Sequence, residues 1–107
     1  MQAINRDKVR EMMDSRDDLT VVEVLDEEYY EKFHLPGAEN VPLNDSFDSS
    51  IQNVASDKSA PVVVYCLDRA CDASPKAARR LDELGYEEVY DYDAGKMDWK
   101  DAGLPIE

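Results

Sequence analysis

Long apolar runs and basic residues are scarce in this sequence, and their scarcity argues against two classes of partner. The 107 residues include 12 lysines and arginines against 25 aspartates and glutamates, a formal net charge of −13. This excess of negative charge disfavours binding to nucleic-acid phosphates and to anionic membrane surfaces. No apolar run approaches the roughly 20 residues of a membrane-spanning helix. Residues 1–7 also lack the basic and apolar pattern of a secretory signal, so we expect a cytoplasmic protein that binds neither nucleic acid nor membrane.

Histidine and cysteine are also rare. The single histidine, His34, lies just before Pro36 and Gly37, where we expect it to stabilise a turn and not to act as a general base. One distant histidine and two cysteines do not form a recognised four-ligand zinc pattern, so we expect no metal site. Cys66 and Cys71 are too few for a disulfide scaffold, and their closeness in sequence favours the chemistry of a site.

The acidic residues are spread along the whole chain. This distribution fits a general solubility adaptation, such as a salt-rich cytoplasm would require, and it also fits a recognition surface for a basic partner. Hydrophobic residues make up 43% of the sequence, which is enough for a packed core. The length is typical of one domain, so we expect a single domain spanning residues 1–107.

Apolar β-branched runs alternate with helix-forming segments along the chain. The predicted strands are residues 19–25, 40–43, 62–65 and 89–92. The predicted helices are residues 5–15, a short acidic helix after Asp26, one helix within residues 44–59, residues 74–85 with Ser74 as N-cap, and residues 95–102. This alternation predicts an α/β fold with a central parallel sheet covered by helices on both faces.

Cys66 stands out because it ends the most apolar predicted strand and is followed by a loop and a helix. Ligands of parallel α/β sheets bind at the carboxyl ends of strands. The N–H groups of a helix N-terminus stabilise a thiolate or another anion. A simpler interpretation is that Cys66 is a small core residue, since free cysteines are often only that.

Five short motifs follow one another in an order that resembles the rhodanese-like domain family over nearly the whole chain. The motifs are VVEV at 21–24, FHLPGAENVP at 33–42, VVVYC at 62–66, AARRL with LGY between 77 and 86, and GKMDW with AGLP between 95 and 105.

The resemblance implies a parallel sheet with flanking helices, and it implies that Cys66 carries a sulfane sulfur as a persulfide. The sulfur would pass to a thiol, cyanide or another acceptor, so the partners are sulfur donors and acceptors, either small molecules or proteins. No metal or organic cofactor is implied. The substrate-binding loop, whose backbone amides would face the sulfur, comprises Leu67, Asp68, Arg69, Ala70, Cys71, Asp72 and Ala73.

The chain departs from the family pattern in and near this loop. Leu25 stands where the family's strand usually carries an arginine. If Ser74 caps the helix, the loop has eight positions, 66 through 73, which is longer than the family's usual loop, and it contains no glycine. If Asp72 caps the helix instead, the loop has the usual length. Ala73 also replaces the arginine of related phosphatases, which disfavours phosphatase activity.

The charges and the second cysteine of the loop suggest how it would work. Asp68 and Asp72 oppose a thiolate and repel anionic donors, with Arg69 as the only offsetting cation, so we expect poor use of thiosulfate. Cys71, five residues after Cys66, is a candidate resolving thiol or a packing residue. Tyr65 and Tyr92 are candidates to line the cleft.

Three functional hypotheses follow from these features. The first is a sulfurtransferase or sulfur carrier that uses Cys66. The second is a non-catalytic rhodanese-like binding module that uses its acidic surface. The third is a thiol-redox switch between Cys66 and Cys71.

Overall fold

The structure, a computed structural model, describes residues 1–107 as a five-stranded sheet and five helices. The strands run parallel to their neighbours in the order β1-β5-β4-β2-β3. The elements are β1 (Gln2–Ala3), α1 (Arg6–Ser15), β2 (Thr20–Glu23), α2 (Glu27–Lys32), β3 (Glu39–Asn40), α3 (Phe47–Val54), β4 (Val62–Tyr65), α4 (Ala73–Glu83), β5 (Val89–Tyr92) and α5 (Gly95–Asp101). The predicted α/β fold with a parallel sheet is therefore confirmed.

Two hydrophobic clusters cover the two faces of the sheet. On one face, Val62 and Val64 of β4 pack with residues of α3 and α4. On the other face, Val63 and Tyr65 of β4 pack with residues of α1 and α5. Side chains alternate along a strand, so β4, which is apolar throughout and completely buried, supplies both cores.

Several boundaries follow the local signals of the sequence. The Asn5 side chain accepts a hydrogen bond from the amide of Lys8 at 2.9 Å, so the predicted N-cap of α1 is confirmed. Gly85 follows α4 with a φ of +93°, a conformation that glycine adopts without the strain a side chain would add. The observed strands β4 and β5 have the predicted bounds.

Three predictions of local structure were incomplete or wrong. Strand β3 covers Glu39–Asn40 and not residues 40–43, while β1 was not predicted at all. Helix α4 begins at Ala73, with Asp72 in the N-cap position, so Ser74 is the second helical residue and not the cap. The loop before the cap is therefore residues 66–71, and Ala73 belongs to the helix.

None of the five helices combines the length and the apolar character that crossing a membrane requires.

Candidate active site around Cys66

Cys66 directly follows β4, the middle strand of the sheet, at its carboxyl end. Its side chain is completely buried in the cluster that α3 and α4 cover. Its carbonyl oxygen accepts a hydrogen bond of 2.9 Å from the amide of Lys96 at the start of α5. Cys66 thus lies at the end of a buried strand, as the sequence predicted, and the contact of its backbone with α5 is an addition from the structure.

The first turn of α5 holds the beginning of the loop. The amide of Met97 donates to the carbonyl oxygen of Leu67 at 3.0 Å, next to the bond between Lys96 and Cys66. Gly95 adopts a φ of +76°, and a Cβ there would lie 2.5 Å from the carbonyl carbon and oxygen of Leu67. Only glycine allows the two backbones to come this close.

Asp68 folds the rest of the loop back toward Cys66. Its carboxylate accepts hydrogen bonds from the amides of Ala70 and Cys71, at 3.0 and 3.2 Å. The resemblance to the rhodanese-like family implied that the loop amides face a bound sulfur. In this structure these two amides face the Asp68 carboxylate instead, which makes the tight turn typical of aspartate.

The turn brings the second cysteine onto the first. Cys66 and Cys71 are joined as a disulfide, with their Cα atoms 6.4 Å apart and their sulfurs in direct contact. The Cys66 sulfur also lies 3.5 Å from the carbonyl oxygen of Cys71. Cys71 packs on the edge of the core and remains partly exposed, whereas no surface pocket is lined by Cys66.

The charged side chains at the mouth of the loop are paired with each other. Arg69 is 73% exposed and lies 3.3 Å from the Asp93 carboxylate. Asp72 is also exposed, and its ion pair with Lys76 at 2.9 Å lowers the pKa of its carboxyl. The only cation of the loop therefore already has an acidic partner, and the rim keeps its negative character.

Two polar side chains are buried under the first turn of α4 without hydrogen-bond partners. They are Ser74, whose hydroxyl is unpaired, and Asp91 of β5, which has one unpaired carboxylate oxygen. Burial is the main cause that raises the pKa of Asp91. No sequence pattern indicated this pair, because Ser74 before Pro75 is typical of a helix cap.

The opposite face of the sheet carries a buried ion pair at the same end. Lys96 and Glu23 are at most 1% exposed, with Nζ and Oε2 3.0 Å apart. The Lys96 ammonium also donates to the carbonyl oxygens of Tyr29 and Phe33, at 2.7 and 2.8 Å. Glu23 accepts a further bond from the Tyr65 hydroxyl at 2.9 Å. Burial and the Glu23 charge raise the pKa of Tyr65.

This ion pair changes two conclusions from the sequence. Leu25 lacks the positive charge of the arginine that the family usually carries there. Lys96 of α5 supplies a cation instead, which pairs with the carboxylate of Glu23 in β2. Tyr65 and Tyr92 are completely buried and face away from Cys66, so the hypothesis that they line its cleft is wrong. Lysine in a short amphipathic helix predicts exposure, and no sequence pattern indicated that Lys96 is buried.

His34 is held by the end of the chain. Its ring stacks on Tyr30 with centroids 3.8 Å apart, and Nδ1 lies 2.9 Å from the Tyr30 carbonyl oxygen. Its backbone exchanges two hydrogen bonds with Glu107. These contacts place His34 between α2 and Glu107, and its role in stabilising the turn at Pro36 and Gly37 stays a prediction.

Comparisons with known proteins agree with this architecture. The chain is 33% identical over 90 residues to the HTH-type transcriptional regulator Rv0324 of Mycobacterium tuberculosis, covering 84% of this chain and 38% of that protein. It is 26% identical over 96 residues to the "Putative sulfur carrier protein YrkF" of Bacillus subtilis, covering 90% of this chain and 49% of that protein. The chain thus spans half or less of the length of these relatives.

A solved structure extends the likeness to the three-dimensional fold. The thiosulfate sulfurtransferase of Pseudomonas aeruginosa superposes with a TM-score of 0.86 and 26% identity, over 99% of this chain and 20% of that one. The family profile described as "Rhodanese-like domain" matches residues 5–102. Fold, order of motifs and profile agree, and the chain belongs to the rhodanese-like domain family.

Proposed function

We propose that this chain is a sulfurtransferase or sulfur carrier that holds a sulfane sulfur on Cys66. The position of Cys66 carries the proposal, because it ends the central parallel strand at the base of the loop that leads into α4. Relatives named as a sulfur carrier and a thiosulfate sulfurtransferase support the same chemistry.

The reaction requires two exchanges at sulfur. In the first, the Cys66 thiolate attacks the outer sulfur of a donor persulfide, and the donor leaves as a thiolate. In the second, an acceptor thiolate or cyanide attacks the outer sulfur of the Cys66 persulfide and takes it, which restores the Cys66 thiolate. No external oxidant or reductant is consumed, since one sulfane sulfur moves between two thiol groups.

The loop and its rim define which donors fit. We propose that Arg69 and amides of residues 67–73 hold the transferred sulfur, after the disulfide has opened. Asp72 and Asp93 lie at the rim, and the whole chain carries a net charge of −13. Both disfavour the thiosulfate dianion. A persulfide on a small thiol or on a protein is the donor that this charge pattern favours.

A second candidate function is a thiol-redox switch. The observation that favours it is the disulfide between the completely buried Cys66 and Cys71. In this function, oxidation of the two thiols would close the site and a reductant would open it, without any transfer of sulfur.

Intact-protein mass spectrometry separates these functions. The Cys71→Ser variant is reduced, freed of reductant and exposed to thiosulfate or, separately, to a small-thiol persulfide. We expect a gain of one sulfur atom with the persulfide, much less with thiosulfate, and removal of that sulfur by cyanide. The matched control is the double variant Cys66→Ser/Cys71→Ser, which should gain none. A folded Cys71→Ser protein that gains no sulfur from either donor would contradict the sulfur carrier and leave the thiol-redox switch or a binding module.

A further inference from the structure

The loop holds a second thiol within reach of the first. Cys71 is five residues from Cys66, and the Cα separation of 6.4 Å lies in the range that a disulfide bridges without moving the backbone. The conformation of the loop keeps Cys71 close to Cys66, because the Asp68 carboxylate accepts hydrogen bonds from the amides of Ala70 and Cys71. The amide of Cys71 also donates to the Asp68 carbonyl oxygen at 3.2 Å.

The two sulfurs differ in their access to solvent. Cys66 is completely buried and lines no pocket, whereas Cys71 is partly exposed at the edge of the same cluster. A sulfur donor therefore cannot reach Cys66 while the disulfide is present. A reducing thiol from solution can reach Cys71. The disulfide form is therefore the form that a reductant opens, and the reduced form is the one that accepts sulfur.

We propose that Cys71 resolves the Cys66 persulfide, so that the domain releases the sulfane sulfur as sulfide. The inference rests on the proposed function and specifies what happens to the sulfur when no external acceptor takes it first. The substrate class is a persulfide, and the second substrate is a dithiol reductant.

The resolving step balances without a further reactant. The Cys71 thiolate attacks Sγ of Cys66 in the persulfide, a Cys66–Cys71 bond forms, and the bond to the outer sulfur breaks. That sulfur leaves as hydrosulfide with the electron pair, so it is reduced from sulfane to sulfide while the two cysteines are oxidised to the disulfide.

The dithiol then regenerates the site. One of its thiolates attacks the sulfur of the partly exposed Cys71, and Cys66 leaves as a thiolate at the base of the loop. The second thiol of the reductant displaces Cys71 and closes the reductant's own disulfide. The net reaction converts one persulfide and one dithiol into one thiol, one sulfide and one disulfide.

The experiment follows sulfide and protein mass together under anaerobic conditions. Reduced wild-type protein, Cys71→Ser and Cys66→Ser are each mixed with a stoichiometric amount of a small-thiol persulfide. We expect the wild type to release sulfide in a single turnover and to lose the mass of two hydrogens. Cys71→Ser should keep one extra sulfur and release sulfide on the order of a hundredfold more slowly, because a neighbouring thiol acts at a high effective concentration. Cys66→Ser should do neither.

The outcomes separate this inference from the proposed function. If wild type keeps the extra sulfur as long as Cys71→Ser does, the resolving role is contradicted and the sulfur carrier stands. If Cys71→Ser never gains sulfur, both proposals fail together. A parallel wild-type sample without donor must stay reduced, since a disulfide formed there would come from air and not from the persulfide.

Discussion

Two polar centres are buried at the same end of the sheet, on opposite faces. On the face of α1 and α5, the Lys96 ammonium has three oxygen partners, and Glu23 accepts from Lys96 and Tyr65. On the face of α3 and α4, Ser74 and Asp91 leave a hydroxyl and a carboxylate oxygen unpaired. Most buried polar groups in proteins have a hydrogen-bond partner, so the Ser74–Asp91 centre is an exception.

The two centres differ in where they lie relative to Cys66, the proposed sulfur-carrying residue. The paired centre, which is Lys96 with Glu23, anchors α5. The first turn of α5 also donates hydrogen bonds to the carbonyl oxygens of Cys66 and Leu67. The unpaired centre, which is Ser74 with Asp91, lies under the start of α4, on the same face as Cys66. The polar groups on one face are therefore fully paired, whereas those on the other face, beside the Cys66 loop, are not.

The largest expected effect on stability comes from removing the cation of the buried Lys96–Glu23 pair. The substitution Lys96→Met leaves the Glu23 carboxylate buried without its cation, which should lower the free energy of unfolding by about 3–5 kcal/mol. Chemical denaturation followed by circular dichroism measures this. The matched control is Lys8→Met, which breaks an exposed pair with Glu11 and should change stability by less than about 1 kcal/mol. Equal costs for the two substitutions would contradict a structural role for the buried pair.

A smaller effect is expected where α5 meets the loop. Gly95→Ala adds a methyl group 2.5 Å from the Leu67 carbonyl group in a left-handed backbone conformation. We expect a loss of about 3 kcal/mol and slower sulfur uptake by Cys66, because the loop must shift. Gly103→Ala is the control, since its φ of +75° is similar but nothing lies within 4 Å. It should cost only about 1 kcal/mol and leave sulfur uptake unchanged. If both variants behave alike, the contact between α5 and the loop is not needed.

The smallest effect is expected at the unpaired centre. Burial raises the pKa of Asp91 above its ordinary value of 3.8, so its stabilising contribution is complete below that value and is lost as the pH rises through the raised pKa. Asp91→Asn should therefore be more stable than the wild type near neutral pH, by on the order of 1 kcal/mol. The difference should shrink as the pH falls toward 3.8.

Asp57→Asn provides the control of opposite sign. Hydrogen bonds from Ser59 lower the pKa of Asp57, so its contribution is present above the ordinary value and is lost as the pH falls through the lowered one. Thermal denaturation across the acidic range measures both variants. A stability difference for Asp91→Asn that does not change with pH would contradict the raised pKa inferred for that buried carboxyl.

Much of the fold could be predicted because its signals are local. The bounds of β4 and β5 follow from short β-branched and aromatic runs, and the end of α4 follows from Gly85. The position of Cys66 at the end of a strand follows from the same pattern. Strand β1 could not be predicted, because two exposed residues have no periodicity.

The details of the site depend on contacts between distant residues. Ser74 and Pro75 are typical of a helix start, but the turn held by Asp68 lets α4 begin earlier, at Ala73. Lys96 can be buried because its ammonium donates hydrogen bonds to Glu23, 73 positions earlier, and to two carbonyl oxygens of the α2 region. The spacing left Cys71 as either a partner of Cys66 or a packing residue, and the structure places the two sulfurs in contact.

The most direct test of the central claim follows a labelled sulfur atom. Reduced Cys71→Ser protein is loaded from a persulfide donor whose outer sulfur carries a heavy isotope, then digested and mapped, and finally offered cyanide. The account predicts that the label is found on the peptide containing Cys66 and afterwards in thiocyanate. A label that never enters that peptide, in protein shown to be folded and reduced, would contradict the assignment of Cys66 as the sulfur-carrying residue.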